Sequence, residues 1–178
     1  MRPKVQPSAS ALLTLLLATL AAVSIPFDVD ATLLHVVNGG GIALCIKYWV
    51  PDVKIGGACR ELAPNEVWEI EATPDWKASS MWALRGDCTT NQPCNTGPPS
   101  GVTQFEFTLG GFGGADYYDI STLVGFNMGI SIQPSNINCT AQSCLSLDHC
   151  EGALPEHLTS TQTCPYGTTN YAITFYAF

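Results

Sequence analysis

The chain has 178 residues and a formal net charge of −8 at pH 7, and 46% of its residues are hydrophobic. That length leaves room for one domain with a substantial core once a leader is removed. The acidic balance repels phosphate backbones, so we predict no nucleic-acid partner.

The first 30 residues have the pattern of a secretory signal peptide. Arg2 and Lys4 precede an apolar run over residues 11–23, and Asp28 and Asp30 follow it closely. The run is too short to span a bilayer comfortably, so a membrane anchor is the less favoured alternative. We predict cleavage somewhere between residues 21 and 31, a secreted protein of the extracellular space or cell wall, and no stable membrane anchor.

The part after the leader opens with two strand-like runs, at residues 32–37 and 42–50. The sequence Asn38-Gly-Gly-Gly41 between them is a strong turn signal. Two such runs joined by such a turn predict an opening hairpin.

Residues 66–71 alternate in polarity. Trp68 and Ile70 share one face and Glu69 and Glu71 the other, as in a half-buried antiparallel strand. Another strand is predicted at residues 81–84.

The run 104–109 alternates in the same way. Phe105, Phe107 and Leu109 point to one side, and Glu106 and Thr108 point to the other. Further strands are predicted at residues 117–120, 128–132 and 171–176. No segment outside the leader carries a clear helical period, so we predict an all-β antiparallel sandwich, with residues 31–178 as a single domain.

Eight cysteines follow the leader, beginning at Cys45. An even number in a secreted chain predicts four disulfides that staple the domain. The close pairs, such as Cys88 with Cys94, lack zinc-finger spacing, and no paired histidines follow them. We therefore predict no metal and no cofactor.

Four segments resemble the thaumatin-like family, in its pathogenesis-related type. They are residues 31–38, residues 82–88, the closing run 164–175, and a core signature made of Gln104-Phe-Glu-Phe-Thr-Leu109 with residues 116–127. Only 14 positions separate Cys150 from Cys164, so the chain resembles a short form without the large cysteine-rich lobe. The resemblance implies a secreted β-sandwich of the plant defence or stress type.

The resemblance also implies a disulfide map. It pairs Cys88 with Cys94 and Cys139 with Cys164, which leaves Cys144 with Cys150 and Cys45 with Cys59. Typical members tie the first strand to the last with a further bridge. Its two positions fall here at about Gly39 or Gly40 and at Tyr176.

Thaumatin-like proteins have an acidic cleft, built from one Arg, one Glu and three Asp, that is implicated in binding β-1,3-glucans. Glu106 and Asp119 match two of these five residues, Ser80 and Val124 replace two more, and the last belonged to the missing lobe. Further binding candidates are Asp116 and the aromatic residues Tyr117, Tyr118 and Phe126, which could stack on sugar rings.

Each of these residues also has a purely structural interpretation. Glu106 could simply face solvent from its strand, and Asp119 could accept backbone hydrogen bonds in a tight connection. Aromatic residues in strands more often pack in the core or at its rim than against a sugar.

The leading functional prediction is a monomer that binds cell-wall β-1,3-glucan or a related polysaccharide, with antifungal action and without efficient catalysis. One alternative is a weak endo-β-1,3-glucanase with Glu106 as acid and Asp119 as its partner, since glycoside hydrolysis needs two carboxyl groups. A second alternative is a protein-binding module such as a hydrolase inhibitor. Asn138-Cys-Thr140 also satisfies the N-glycosylation pattern, although its middle cysteine is expected to be bridged.

Overall fold

A computed structural model describes residues 31–52, 54–89, 93–151 and 161–177. The predicted signal peptide, residues 1–30, lies outside them. The described residues form the following strands: β1 Thr32–Asn38, β2 Leu44–Trp49, β3 Gly57–Leu62, β4 Val67–Ala72, β5 Ser79–Arg85, β6 Gln104–Thr108, β7 Ala115–Ser121, β8 Gly129–Pro134, β9 Gln142–Ser146, β10 His149–Glu151, β11 Gln162–Pro165 and β12 Tyr171–Tyr176. Their sole helical element is a 3₁₀ turn over Phe112–Gly114, so in this part of the chain no helix could cross a membrane.

The strands form two six-stranded sheets. The first sheet has the order β10-β9-β8-β12-β1-β4, and the second has the order β11-β7-β6-β5-β2-β3. Pairing is antiparallel except between β1 and β12, which run parallel. The all-β fold predicted from the sequence is confirmed, with one parallel pair where the closing strand inserts beside β1.

The predicted opening hairpin is wrong, because β1 and β2 lie in different sheets. The segment between them carries the chain from one sheet to the other. The buried side-chain amide of Asn38 fixes this crossing by donating to the carbonyls of Ile42, at 2.8 Å, and Leu62, at 2.9 Å. The glycine-rich segment after Asn38 is therefore the place where the chain passes from the first sheet to the second, and not the turn of a hairpin.

The core lies between the two sheets and follows the predicted alternation. Phe105, Phe107 and Leu109 are buried, while Glu106 and Thr108 are only partly so. The rings of Phe105 and Phe107 stack at 4.5 Å between centroids. The predicted strands are confirmed as β1, β2, β4, β5, β6, β7, β8 and β12, whereas β3, β9, β10 and β11 were not predicted.

Four disulfides are present, and two of the pairs expected from the resemblance are wrong. Cys45 bonds to Cys88 rather than to Cys59, and Cys94 bonds to Cys59 rather than to Cys88. In the β2–β3 register Cys45 faces Glu61 and Cys59 faces Lys47, so the two cysteines are diagonal neighbours. Diagonal Cα atoms lie about 7–8 Å apart, beyond the usual reach of a disulfide. The loop after β5 instead brings Cys88 and Cys94 over this face, with Cα separations of 5.0 and 5.1 Å.

The other two pairs, Cys139–Cys164 and Cys144–Cys150, are those that the resemblance implies. The positions of the missing family bridge also meet. A Cβ atom added at Gly39 would lie 2.9 Å from a ring carbon of Tyr176, so the tyrosine ring rests directly on the glycine. Packing thus joins β1 to β12 where typical members carry a covalent bond.

Candidate binding cleft

A cleft of about 370 Å³ opens on the outer face of the second sheet. Strands β5, β6 and β7 form its floor, Trp49 on β2 lies at one side, and Pro98 and Thr161 come from flanking loops. The lining residues are Trp49, Ala78, Ser79, Ser80, Pro98, Gln104, Glu106, Phe107, Thr108, Tyr117, Asp119 and Thr161. The volume is in the range of small-molecule sites.

The sheet register brings the two predicted carboxylates together at this floor. Glu106 on β6 lies directly opposite Asp119 on β7, and Ser80 on β5 lies opposite Glu106 on its other side. Directly opposite residues have Cβ atoms about 4.5–5.5 Å apart on the same face. The structure therefore places Glu106 and Asp119 side by side in the cleft.

Both carboxyl groups are destabilised in their charged form. Burial, followed by repulsion from Asp119, raises the pKa of Glu106, and a hydrogen bond with Ser121 opposes that shift. Burial raises the pKa of Asp119, against a hydrogen bond that Thr161 donates to Oδ2 at 2.9 Å. Like charges on directly opposite residues at a partly dry site are costly unless a proton or a ligand compensates them.

Two buried oxygen atoms at this site lack a donor within the part of the chain that the structure describes. Asp119 is 7% exposed, and its Oδ1 atom has no hydrogen-bond partner among the described residues. Gln104 is 1% exposed, and its Oε1 atom also has none in that part of the chain. Unsatisfied buried acceptors are rare in native structures and need a physical explanation.

Sequence reasoning missed Gln104, Trp49 and Thr161 as cleft residues. Gln104 could have been found, since it lies two positions before Glu106 on the same strand and therefore on the same face. Trp49 and Thr161 come from elements distant in sequence, and only the sheet order and the loop path bring them to the cleft.

Asp116 and Tyr118 were predicted to bind ligand, and the structure corrects this by placing both in the core. Asp116 is fully buried and accepts hydrogen bonds from the Gly110 amide and the Tyr171 hydroxyl, each at 2.9 Å. Tyr118 donates its hydroxyl to the Thr140 carbonyl at 2.6 Å. Burial raises the pKa of Asp116, against the hydrogen bonds from Gly110 and Tyr171, and burial raises the pKa of Tyr118 to about 12.

The remaining aromatic candidates separate. Tyr117 lines the cleft, and its hydroxyl donates to the Phe112 carbonyl at 3.0 Å. Phe126 packs against the core cluster and is not among the lining residues of the cleft. Asn138 is exposed, so its glycosylation stays a prediction.

The chain belongs to the Thaumatin family, whose model matches residues 51–165. It is 29% identical over 153 residues to "Pathogenesis-related thaumatin-like protein 3.7" of Cryptomeria japonica, covering 76% of this chain and 62% of that protein. It is also 29% identical over 187 residues to "Pathogenesis-related protein 1A/1B" of Hordeum vulgare, covering 94% and 98% of the two chains. The chain spans about half to two thirds of the length of several relatives, and nearly all of the barley protein.

Among solved structures, the thaumatin-like xylanase inhibitor TLXI matches with a TM-score of 0.58 at 16% identity, covering 80% of this chain and 97% of the inhibitor. At that identity the likeness shows the fold alone. The family predicted from the sequence is confirmed, and both of these relatives are named as pathogenesis-related proteins.

Proposed function

We propose that this chain is a secreted defence protein that binds β-1,3-glucan, or a related cell-wall polysaccharide, in the cleft over β5, β6 and β7. The observation that carries the proposal is the presence, at the floor of the cleft, of buried acceptors on Asp119 and Gln104 that have no donor among the described residues. A sugar chain offers many hydroxyl donors, and each that meets such an oxygen removes a desolvation cost.

The cleft also offers two aromatic walls of fixed orientation. The ring of Trp49 lies against Gly97, where an added Cβ atom would sit 3.6 Å from a ring carbon. The ring of Tyr117 lies against Gly111, where the corresponding distance is 2.9 Å. Aromatic faces held in this way present apolar area at low entropic cost, which suits the apolar face of a pyranose ring.

The secretion part of the proposal is supported by chemistry. All eight cysteines are paired in disulfides, which persist in oxidising compartments outside the cytosol. The leader-like pattern of residues 1–30 agrees with that compartment.

The test is sedimentation of the oxidised protein with insoluble β-1,3-glucan, together with measurement of the reducing ends released. We expect saturable binding without release. The double variant Glu106→Gln, Asp119→Asn should lose most of the binding, whereas Glu71→Gln, an exposed carboxylate on the first sheet, should bind as the wild type does. Equal binding by all three proteins would refute the cleft as the site.

A weak endo-β-1,3-glucanase is the second candidate, favoured by the juxtaposition of Glu106 and Asp119. Inverting glycosidases need about 6.5–9.5 Å between their carboxyl groups, whereas retaining enzymes need about 5–5.5 Å. The anomeric configuration of any released sugar would report which of these separations the two carboxyl groups adopt. Glu106→Gln would then abolish the release of reducing ends and leave glucan binding in place.

Inhibition of a foreign hydrolase is the third candidate. A neighbour in fold is named as a xylanase inhibitor, and this chain carries large exposed apolar side chains on loops, with Phe112 at 91% and Ile137 at 96%. Such side chains can anchor a protein interface. Inhibition of a xylanase that survives the double carboxyl substitution but is lost on Phe112→Ala or Ile137→Ala would favour this candidate.

A further inference from the structure

We infer that the floor of the cleft is a binding site for a hard divalent cation, Ca²⁺, held by Glu106, Asp119 and Gln104. The site itself is argued from the geometry below. Its part in sugar recognition rests on the proposed function.

The three side chains lie on one face of two adjacent strands. Gln104 and Glu106 are separated by two positions on β6, and Asp119 on β7 faces Glu106. Ser121 on β7 lies opposite Gln104, so it is the fourth residue of this group, and its side chain hydrogen-bonds to Glu106. Two carboxylates, an amide carbonyl and a hydroxyl thus converge on a small area, and all of these groups are oxygen donors.

The unsatisfied oxygens separate this cluster from an ordinary solvated acidic patch. Oδ1 of Asp119 and Oε1 of Gln104 are both buried and lack a donor among the described residues. Gln104 carries no charge, so its orphaned oxygen is independent of the acidic pair. A cation would satisfy both atoms at once, whereas a proton shared between the carboxyls would leave Gln104 unsatisfied.

Electrostatics favour a cation here. The pKa of Glu106 is raised by burial and by repulsion from Asp119, and the pKa of Asp119 is raised by burial. The amine of Lys77, on the segment before β5, donates to the backbone carbonyls of Leu109 and Gly110. A bound cation would cancel the repulsion between the two carboxylates.

The donor set selects the metal. All-oxygen ligands suit Ca²⁺ and Mg²⁺, and an irregular, partly open site favours Ca²⁺, because Mg²⁺ requires near-ideal octahedral geometry and gives up water reluctantly. Calcium affinity falls as the number of charged ligands falls, and this site supplies only two carboxylates. We therefore expect weak binding like that of extracellular calcium modules, with a Kd of about 10⁻⁴–10⁻³ M. Because the site lies at the floor of the cleft, adjacent hydroxyls of a bound sugar could complete the coordination of the cation.

The experiment is a titration of the mature, oxidised protein with Ca²⁺ by calorimetry, paralleled by Tb³⁺ luminescence excited through the cleft aromatics Trp49 and Tyr117. We expect one saturable site. Glu106→Gln and, separately, Gln104→Met should each weaken Ca²⁺ binding about tenfold or more, and Glu71→Gln should leave it unchanged. Because Glu106 is partly exposed, its variant should fold, and near-UV circular dichroism would verify this for both.

Failure to bind up to about 10 mM Ca²⁺, tenfold above the expected range, would overturn the inference, as would binding that the cleft variants leave unchanged. A glucan sedimentation arm with EDTA separates the two proposals. Glucan binding that persists in EDTA, in a protein that binds no Ca²⁺, sinks the cation site and leaves the proposed function intact. Ca²⁺ binding at the cleft without any glucan binding sinks the proposed function and leaves the cation site.

Discussion

Asp116 and Asp119 lie three residues apart on β7, and the structure gives them opposite environments. Asp116 points into the core, where the Gly110 amide and the Tyr171 hydroxyl satisfy one oxygen each. Asp119 points into the cleft, where one oxygen accepts from Thr161 and the other has no partner in the described part of the chain. Burial raises the pKa of both groups.

The difference shows that the extent of burial does not identify a functional carboxylate. Both aspartates are largely buried, but only Asp119 has a carboxylate oxygen without a hydrogen-bond partner among the described residues. A fully hydrogen-bonded buried carboxylate holds the fold together, whereas a partly bonded one beside a cleft is prepared to meet a ligand.

The largest expected effect is on stability. Asp116→Ala leaves the buried Gly110 amide and Tyr171 hydroxyl without an acceptor, which should cost about 2–6 kcal/mol at about 1–3 kcal/mol for each group. Asp119→Ala removes one hydrogen bond but also relieves repulsion with Glu106, so its cost should stay below about 1 kcal/mol. Chemical denaturation measures the free energy of unfolding of both variants. Equal losses of stability would contradict the assignment of a structural role to Asp116 and a ligand-binding role to Asp119.

The next effect is on binding and compares two neighbouring tyrosines. Tyr117→Ala removes a wall of the cleft and should weaken glucan binding by about 1 kcal/mol, or roughly fivefold. Tyr118→Phe should leave glucan binding unchanged and cost about 1 kcal/mol of stability through the lost bond to Thr140. Binding isotherms and denaturation curves for both proteins check this, and weaker glucan binding by Tyr118→Phe would count against it.

The smallest effect depends on pH. A carboxyl whose folded pKa is raised contributes stability that is present below its unfolded pKa, about 4, and is lost as the pH rises through the folded value. Glu106→Gln should therefore stabilise the protein at neutral pH by about 0.2–1 kcal/mol, the scale of a directly opposed sheet pair. At about pH 3 the variant and the wild type should be equally stable, since the carboxyls are then protonated.

The matched measurement is thermal unfolding in EDTA at both pH values, with Glu71→Gln as control. A stabilisation of the same size at about pH 3, below the reference carboxyl pKa values, would show that repulsion is not its source.

Much of the fold could be predicted because alternation along a strand is a local property. The burial of Phe105 and Phe107 and the outward position of Glu106 follow from residue order alone. The same parity, applied from Asp119, would have assigned Tyr117 outward and Asp116 and Tyr118 inward. The prediction was wrong for Asp116 and Tyr118 because it assigned all the polar and aromatic residues of this segment to the same face of the strand.

Other features depend on contacts between distant parts of the chain and were beyond local patterns. Pairing of Cys45 with Cys88 requires the loop after β5 to fold over β2, and crossing at Asn38 requires acceptors on β3 and beside β2. The order of the strands in the sheets determines both the Cys45–Cys88 pairing and the crossing at Asn38. That order cannot be read from strand periodicity or from cysteine spacing.

The central claim is that ligand binds on the outer face of β6 and β7. Its most direct test is a titration of the isotope-labelled protein with a β-1,3-linked glucose oligosaccharide, followed by amide chemical shifts. The account predicts progressive, saturable shifts centred on Gln104, Glu106, Tyr117 and Asp119. Absence of shifts, or shifts confined to loops such as those carrying Ile137 and Leu147, would contradict it.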